Sequence, residues 1–236
     1  MTNNKSTVQD PVGKRTWIIL LVICLASVAG HLFIYPSLPE TIPTHWDING
    51  NANDWGPKST QLILAFLPLL IMGLMYLTPK MDPRGANFDR FGNLYRGFSI
   101  AMTLFMVMAS WVAELTVIGV IPQENSPVGI LITGTLGVIF IALGNYMPRI
   151  KQNYTFGCKT PWAIHNEQNW NLTHRFCGKA FMVMGVTMIF TGIFGRALGN
   201  DLAGGVLMAI ILGGCALTYA YSYLVFRHGN RPLHMN

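Results

Sequence analysis

A chain of 236 residues that is 51% hydrophobic and only 11% charged, with positive mean hydropathy, is too apolar for a water-soluble globule. A large soluble enzyme core is excluded, and an integral membrane protein is expected. The net charge of +6 reports membrane topology first, and direct nucleic-acid binding is not expected from it.

Six apolar stretches, at residues 17–35, 61–77, 97–121, 128–147, 178–194 and 202–226, are long enough or nearly so to cross roughly 30 Å of hydrocarbon as helices. The backbone must satisfy its own hydrogen bonds there, so an all-α, six-helix transmembrane bundle is predicted. Of the 16 Lys and Arg residues, only Lys58 and Arg196 fall on one side of this layout, and the rest, from Lys5 to Arg231, share the other. Basic residues accumulate in cytoplasmic loops, which predicts cytoplasmic N and C termini. The first apolar run outlasts a signal peptide and ends in Tyr35-Pro36-Ser37-Leu38-Pro39 without a small-x-small cleavage site, so it reads as an uncleaved anchor. The organisation predicted is a tail at 1–16, two spans at 17–96 with an outer loop at 36–60 and an inner one at 78–96, a four-span region at 97–226 with an inner loop at 148–177, and a tail at 227–236.

Between the first two spans the chain is dense in turn formers. Pro39 and Pro43 favour extended backbone, and His45-Trp46-Asp47 alternates polar and aromatic side chains as a strand does. Asn49-Gly50 is a hairpin turn signal, since both residues tolerate positive φ. A small extracellular hairpin lying on the membrane surface is predicted, with Trp46 and Trp55 at headgroup level and His45, Trp46, Asp47, Asn49, Gly50, Asp54 and Gly56 as candidate outer contacts. His45, Asp47 and Asp54 make an incomplete ligand set, so no metal is expected.

Glu114 is the one acidic residue predicted within a span. A carboxylate there is costly, so it must be protonated, reach the interface, or pair inward, with His31 a candidate partner. The simpler placement is interfacial, near the end of a long helix. Pro68 should kink the second span. Gly134, Gly137, Gly185, Gly192, Gly204, Gly205, Gly213 and Gly214 permit close helix contact and serve a tight bundle or an oligomer face equally.

The inner loop is polar and aromatic where the bilayer requires neither. Gly157 supplies backbone freedom, Thr160-Pro161 an extended or turn geometry, and Trp162 can fold back onto the membrane or another loop. A helix should start near Asn166, which caps it, with Trp170, Thr173 and Cys177 on one face. Cys158, His165, His174 and Cys177 match no compact zinc spacing, and Cys158 with His165 lacks a third group to orient the histidine, so neither metal nor enzyme is expected and no cofactor is implied. All four cysteines lie in spans or on the predicted cytoplasmic side, so no structural disulfide is expected.

Gly144-Asn145, then Asn153-x-x-x-Gly157-x-Lys159-Thr160-Pro161-Trp162, then Trp170 and Arg175-Phe176 resemble the signature of the SdpI family of bacterial membrane proteins. Ile42-Pro43-Thr44-His45-Trp46 with Asn49-Gly50 and Asp54-x-Gly56-x-Lys58 is similar to the domain of unknown function often found ahead of it. Lys159 stands where the family signature usually has Arg, which keeps the charge without the bidentate fork. The resemblance implies a multi-pass protein of the bacterial cytoplasmic membrane that gives immunity to a secreted peptide toxin and holds a cytoplasmic transcriptional repressor at the membrane. Asn153, Gly157, Lys159, Thr160, Pro161, Trp162 and Trp170 are then the candidate partner-binding residues inside the cell. A small exporter using Glu114 is the alternative, and a membrane enzyme ranks third.

Overall fold

The computed structural model describes residues 10–229, 231 and 232. Lys5 and the rest of residues 1–9, with residues 230 and 233–236, lie outside the described residues. Six helical segments are long and apolar enough to cross a membrane: Lys14–Ser37, Thr60–Met81, Gly85–Val117, Val128–Arg149, Glu167–Leu198 and Asn200–Arg227. Their regular helices are α1 (Lys14–Ile34), α2 (Thr60–Met81), α3 (Gly92–Ser110), α4 (Val112–Val117), α5 (Val128–Tyr146), α7 (Glu167–Leu198) and α8 (Asn200–Arg227), with a short α6 (Pro161–His165) before α7. An antiparallel hairpin of β1 (Thr41–Trp46) and β2 (Ala52–Pro57) joins α1 to α2.

Each predicted span has its helix, with one informative departure. The third breaks at Trp111 into α3 and α4, where a continuous span was expected. The fifth begins at Glu167, capped by Asn166 accepting from the Asn169 N–H at 2.9 Å. Its 32 residues reach about 48 Å at 1.5 Å per residue, so its first turns project past the hydrocarbon and carry the loop. α2 runs through Pro68 and Pro79 without ending.

The closest helix packing is between α5 and α7, and glycine is its cause. A Cβ on Gly137 would stand 2.6 Å from the Gly185 carbonyl oxygen, and one on Gly144 would stand 2.6 Å from that of Gly178. The two backbones therefore touch along two levels, as small-residue interfaces in membranes allow. Gly134, Gly204, Gly205 and Gly213, expected to serve the same purpose, face open space. The hairpin, the 118–127 connection and the α7–α8 junction share one end of the bundle, the hairpin end. The 82–91 and 150–166 segments share the other, the loop end. There the main hydrophobic core gathers Phe88, Phe91, Tyr95, Ile150, Trp170 and Cys177, with Trp17 and Leu20 of α1.

Gly137→Val should cost about 2–3 kcal/mol, because the added carbons meet backbone that cannot yield. Gly134→Ala should stay within about 0.5 kcal/mol of the parent. Thermal unfolding of the purified proteins in detergent compares the two.

Candidate functional site

Three polar assemblies stand out: one inside the bundle, and one at each end. The first is built from α1, α2, α3 and α4. His31 Nδ1 lies 2.6 Å from Glu114 Oε1, and both side chains are shut off from solvent, at 1% and 0% exposure. The interfacial placement expected for Glu114 is thereby corrected. The break at Trp111 turns α4 so that Glu114 points into the bundle, where His31, two turns before the hairpin, meets it.

The hydrogen bonds assign the protons. Ser110 Oγ donates to the Val107 carbonyl at 2.8 Å, so it can only accept from His31 Nε2 at 3.1 Å, and that nitrogen carries a proton. Gln61 uses both amide hydrogens, donating to Glu114 Oε2 at 2.7 Å and to the Ser110 carbonyl at 2.7 Å. One proton then remains for the short contact between Glu114 Oε1 and His31 Nδ1. On either atom it leaves the pair neutral overall, and this is what makes burial in hydrocarbon tolerable. The His31 ring stacks on Trp111, with centroids 4.1 Å apart, and the Trp111 indole donates to Ser27 Oγ at 2.8 Å. Gln61 Oε1 is buried without a partner.

At the hairpin end, the turn is a five-residue loop, 47–51, rather than a two-residue Asn-Gly turn. Gly50 alone takes positive φ, +81°, and a Cβ there would collide with the Ser126 carbonyl. The hairpin is docked on the end of the bundle by bonds to the 118–127 connection and α7. Ser126 N–H donates to the Gly50 carbonyl at 3.1 Å, Ala52 N–H to Gln123 at 2.8 Å, and Asn125 N–H to Asn51 Oδ1 at 2.9 Å. Arg196 spans the junction, donating to the carbonyls of Asn49, Asn125 and Ser126. Trp46 packs on Val112, Ile121 and Val128, so it faces the bundle instead of the headgroups. Trp55 is half exposed, and His45 and Asp54 are exposed, each held by a separate bond: His45 to Asn53 at 2.6 Å, Asp54 to the Trp55 N–H at 2.9 Å. Gly56 sits in β2 opposite Ile42.

Asp47 is held to Asn51 and to Asn200 of α8. Burial would raise its carboxyl, but hydrogen bonds from the Asn51 backbone, the Asn200 and Asn51 side chains and the Asn49 backbone prevail and lower it below the usual aspartate range.

At the loop end, the signature residues are mostly internal. Asn153 is buried and its Oδ1 accepts from the N–H groups of Thr155 and Phe156 at 3.0 and 2.6 Å. Asp82, closing α2, accepts from Tyr154 N–H at 2.8 Å and Thr155 Oγ1 at 2.7 Å. Gly157, at φ +110°, leaves room for His174, whose Nε2 a Cβ would approach to 2.5 Å. His174 Nδ1 donates to the Trp170 carbonyl at 2.9 Å, while Nε2 accepts from Cys158 N–H at 3.2 Å, which specifies the neutral ring. Thr160 caps α6 and bonds Ser222 of α8 at 2.5 Å, and Ser222 in turn donates to Asn169 at 2.8 Å. Pro161 opens α6 and is exposed.

Trp170 is fully buried, stacked on His174 and donating to the Ile150 carbonyl at 2.8 Å. Trp162 lies against Tyr219 and Tyr223 of α8. Asn153, Thr160 and Trp170 are thus bracing groups, unable to touch a partner directly, because the loop folds back onto α7 and α8. Lys159 is exposed, its ammonium donating to the Thr155 carbonyl at 3.0 Å. Cys158 and Cys177 are joined as a disulfide, with Cα atoms 6.9 Å apart. This corrects the expectation of free thiols: the fold-back brings the two sulfurs together, which the spacing alone does not reveal. Sequence reasoning missed Gln61, which opens a predicted span, Ser110 and Ser222, which lie inside predicted spans, and Asn169, in the predicted inner loop, since a small polar residue at such places can bond its own helix or solvent.

Residues 149–222 match the SdpI/YfhL protein family, and residues 21–72 match a domain of unknown function (DUF1648). The chain is 25% identical over 215 residues to the "Immunity protein SdpI" of Bacillus subtilis (strain 168), an alignment covering 89% of this chain and 98% of that protein. No solved structure matches.

Glu114→Ala strands His31 in the bundle and should cost about 3–5 kcal/mol, whereas Glu114→Gln, which keeps a polar neighbour, should cost less. Thermal unfolding in detergent compares the two variants. For Asp47, a folded value below the unfolded one means stabilisation that is present at neutral pH and lost as pH falls below about 4 through the folded value. Asp47→Asn should flatten the acid limb of the unfolding midpoint against pH while the parent's falls. With a match to DUF1648 at residues 21–72, a match to the SdpI/YfhL protein family at 149–222, and six helices among the described residues long and apolar enough to span, the chain is a multi-pass protein of the bacterial cytoplasmic membrane.

Proposed function

We propose that this protein is a membrane immunity protein that protects its own cell from a secreted antimicrobial peptide. The observation that carries the proposal is the extent of the similarity to an immunity protein, 98% of that protein's length. The two family matches, at 21–72 and 149–222, take in both the hairpin and the loop. In this reading the basic loop end is cytoplasmic, as the distribution of Lys and Arg favours. The hairpin end then faces the peptide. Its exposed Glu40, His45, Asp54 and Trp55 present acidic and aromatic groups suited to a cationic amphipathic chain. The signalling half, capture of a transcriptional repressor, would fall to the exposed part of the loop, Lys159 and the rim of Trp162.

Expression in a toxin-sensitive strain tests the protection: producing cells should survive a dose that kills cells carrying the empty vector, and equal killing would end the proposal. Lys159→Ala and Trp162→Ala should release a captured repressor without changing membrane insertion, read by fractionation. Retained capture removes the loop from signalling.

The buried His31–Glu114 pair favours a second reading, a small exporter that moves a proton through this pair. Flux in proteoliposomes that survives Glu114→Gln argues against it.

A further inference from the structure

A groove of about 410 Å³ opens sideways between α3 and α5, walled by Gly97, Phe98 and Ala101 on one helix and by Val138, Ile139 and Ala142 on the other. Glycine contacts draw one side of α5 against α7, while α3 meets α5 through Phe105, Ile139 and Leu143, and the groove lies beside that contact. A Cβ on Gly97 would meet nothing within 4 Å. Val138 on its wall is 59% exposed, so the groove opens on the outer face of the helices.

Towards the loop end the groove runs into a polar basin of about 440 Å³, with Asn93, Leu94 and Tyr146 lining both. Arg90 and Arg149 border the basin, as do Asp10 and Asp89. Asp10 is occupied, accepting from the Val12 N–H at 3.1 Å and the Trp17 indole at 3.0 Å. Asp89 opposes an anion, and Arg90 and Arg149 outweigh it among the lining residues once Asp10 is occupied. Among the described residues neither arginine forms an ion pair. Arg149 lies over the Tyr146 ring, 4.9 Å from its centroid, and so sits at the seam between groove and basin.

We propose that groove and basin form one binding site for an anionic phospholipid, an acyl chain lying between α3 and α5 and the phosphate meeting Arg90 and Arg149. The charge order along the site is that of the lipid, apolar for the chain and cationic at headgroup level.

The test uses the full chain purified in mild detergent, mixed with phosphatidylglycerol or phosphatidylethanolamine of matched acyl chains, with retained lipid read by native mass spectrometry. Phosphatidylglycerol should be retained in preference, by about fivefold for each arginine. Arg90→Gln with Arg149→Gln should erase the preference, and Gly97→Leu, whose Cβ enters open space and whose side chain extends into the groove, should reduce retention of both lipids. Equal retention of the two lipids by the parent protein overturns the proposal with no variant needed. A preference that survives the double substitution overturns the headgroup assignment, and undiminished adducts in Gly97→Leu overturn the groove. Displacement by glycerol phosphate as effective as by the whole lipid likewise overturns it, since the chain would then contribute nothing.

Discussion

Hydrocarbon offers no water to a buried polar group, and the fold is organised by that constraint. His31, Gln61, Ser110 and Glu114 come from three membrane segments and satisfy one another almost completely, with a single proton held between carboxylate and imidazole. Remove any member and a donor or acceptor is left in a medium where it costs several kcal/mol. The set therefore specifies how α1, α2 and the α3–α4 break fit together, which interchangeable apolar contacts against lipid would do only loosely. Whether the pair also moves a proton is a separate property, and the same geometry would serve it.

The two ends solve different problems. At the loop end, polar side chains pair with backbone: Asn153, Asp82, Asn87 and Gln152 saturate the 150–166 segment, and aromatic rings seal it below. At the hairpin end, main-chain bonds to the 118–127 connection and the fork of Arg196 fasten β1 and β2. In both places an irregular segment is held by parts of the chain distant in sequence. Each end thus presents a shaped surface with a few exposed side chains.

Much of this was legible in the residues. Apolar run length located all six spans, Pro and Asn-Gly located the hairpin, and Asn166 located the start of α7, because each is a local signal with a local cause. His31 was nameable as a partner for Glu114, since a buried carboxylate demands one and few candidates exist. What stayed hidden depended on chain return. The resemblance marked Trp170 and Asn153 for attention but not their purpose: an aromatic loop looks the same in sequence whether it faces a partner or folds inward. Only the path of residues 150–160 across α7 decides that, and it also brings Cys158 to Cys177. Gln61 was equally silent, since a polar residue at the end of an apolar run is ordinarily solvated, and so was Ser110, since a serine within a span can bond a carbonyl of its own helix, as it does to Val107.

α5 shows how one packing decision propagates. Glycine at two levels brings it into backbone contact with α7, and the long α7 carries α6, the loop and, through Asn169 and Ser222, α8. These elements form one closely packed body, and residues 149–222 of the family match lie almost wholly within it. α1, α2 and the hairpin, which take in the other matched region, join that body through the hydrophobic core around Trp17, Tyr95 and Trp170 at the loop end and by polar bonds at the hairpin end, and they meet α3 and α4 through the His31 cluster. Between α3 and α5 the contact is apolar, made by Phe105, Ile139 and Leu143, with neither backbone approach nor polar bond to fix it, and the groove runs beside it. A lipid there would extend an interface held by apolar contact alone.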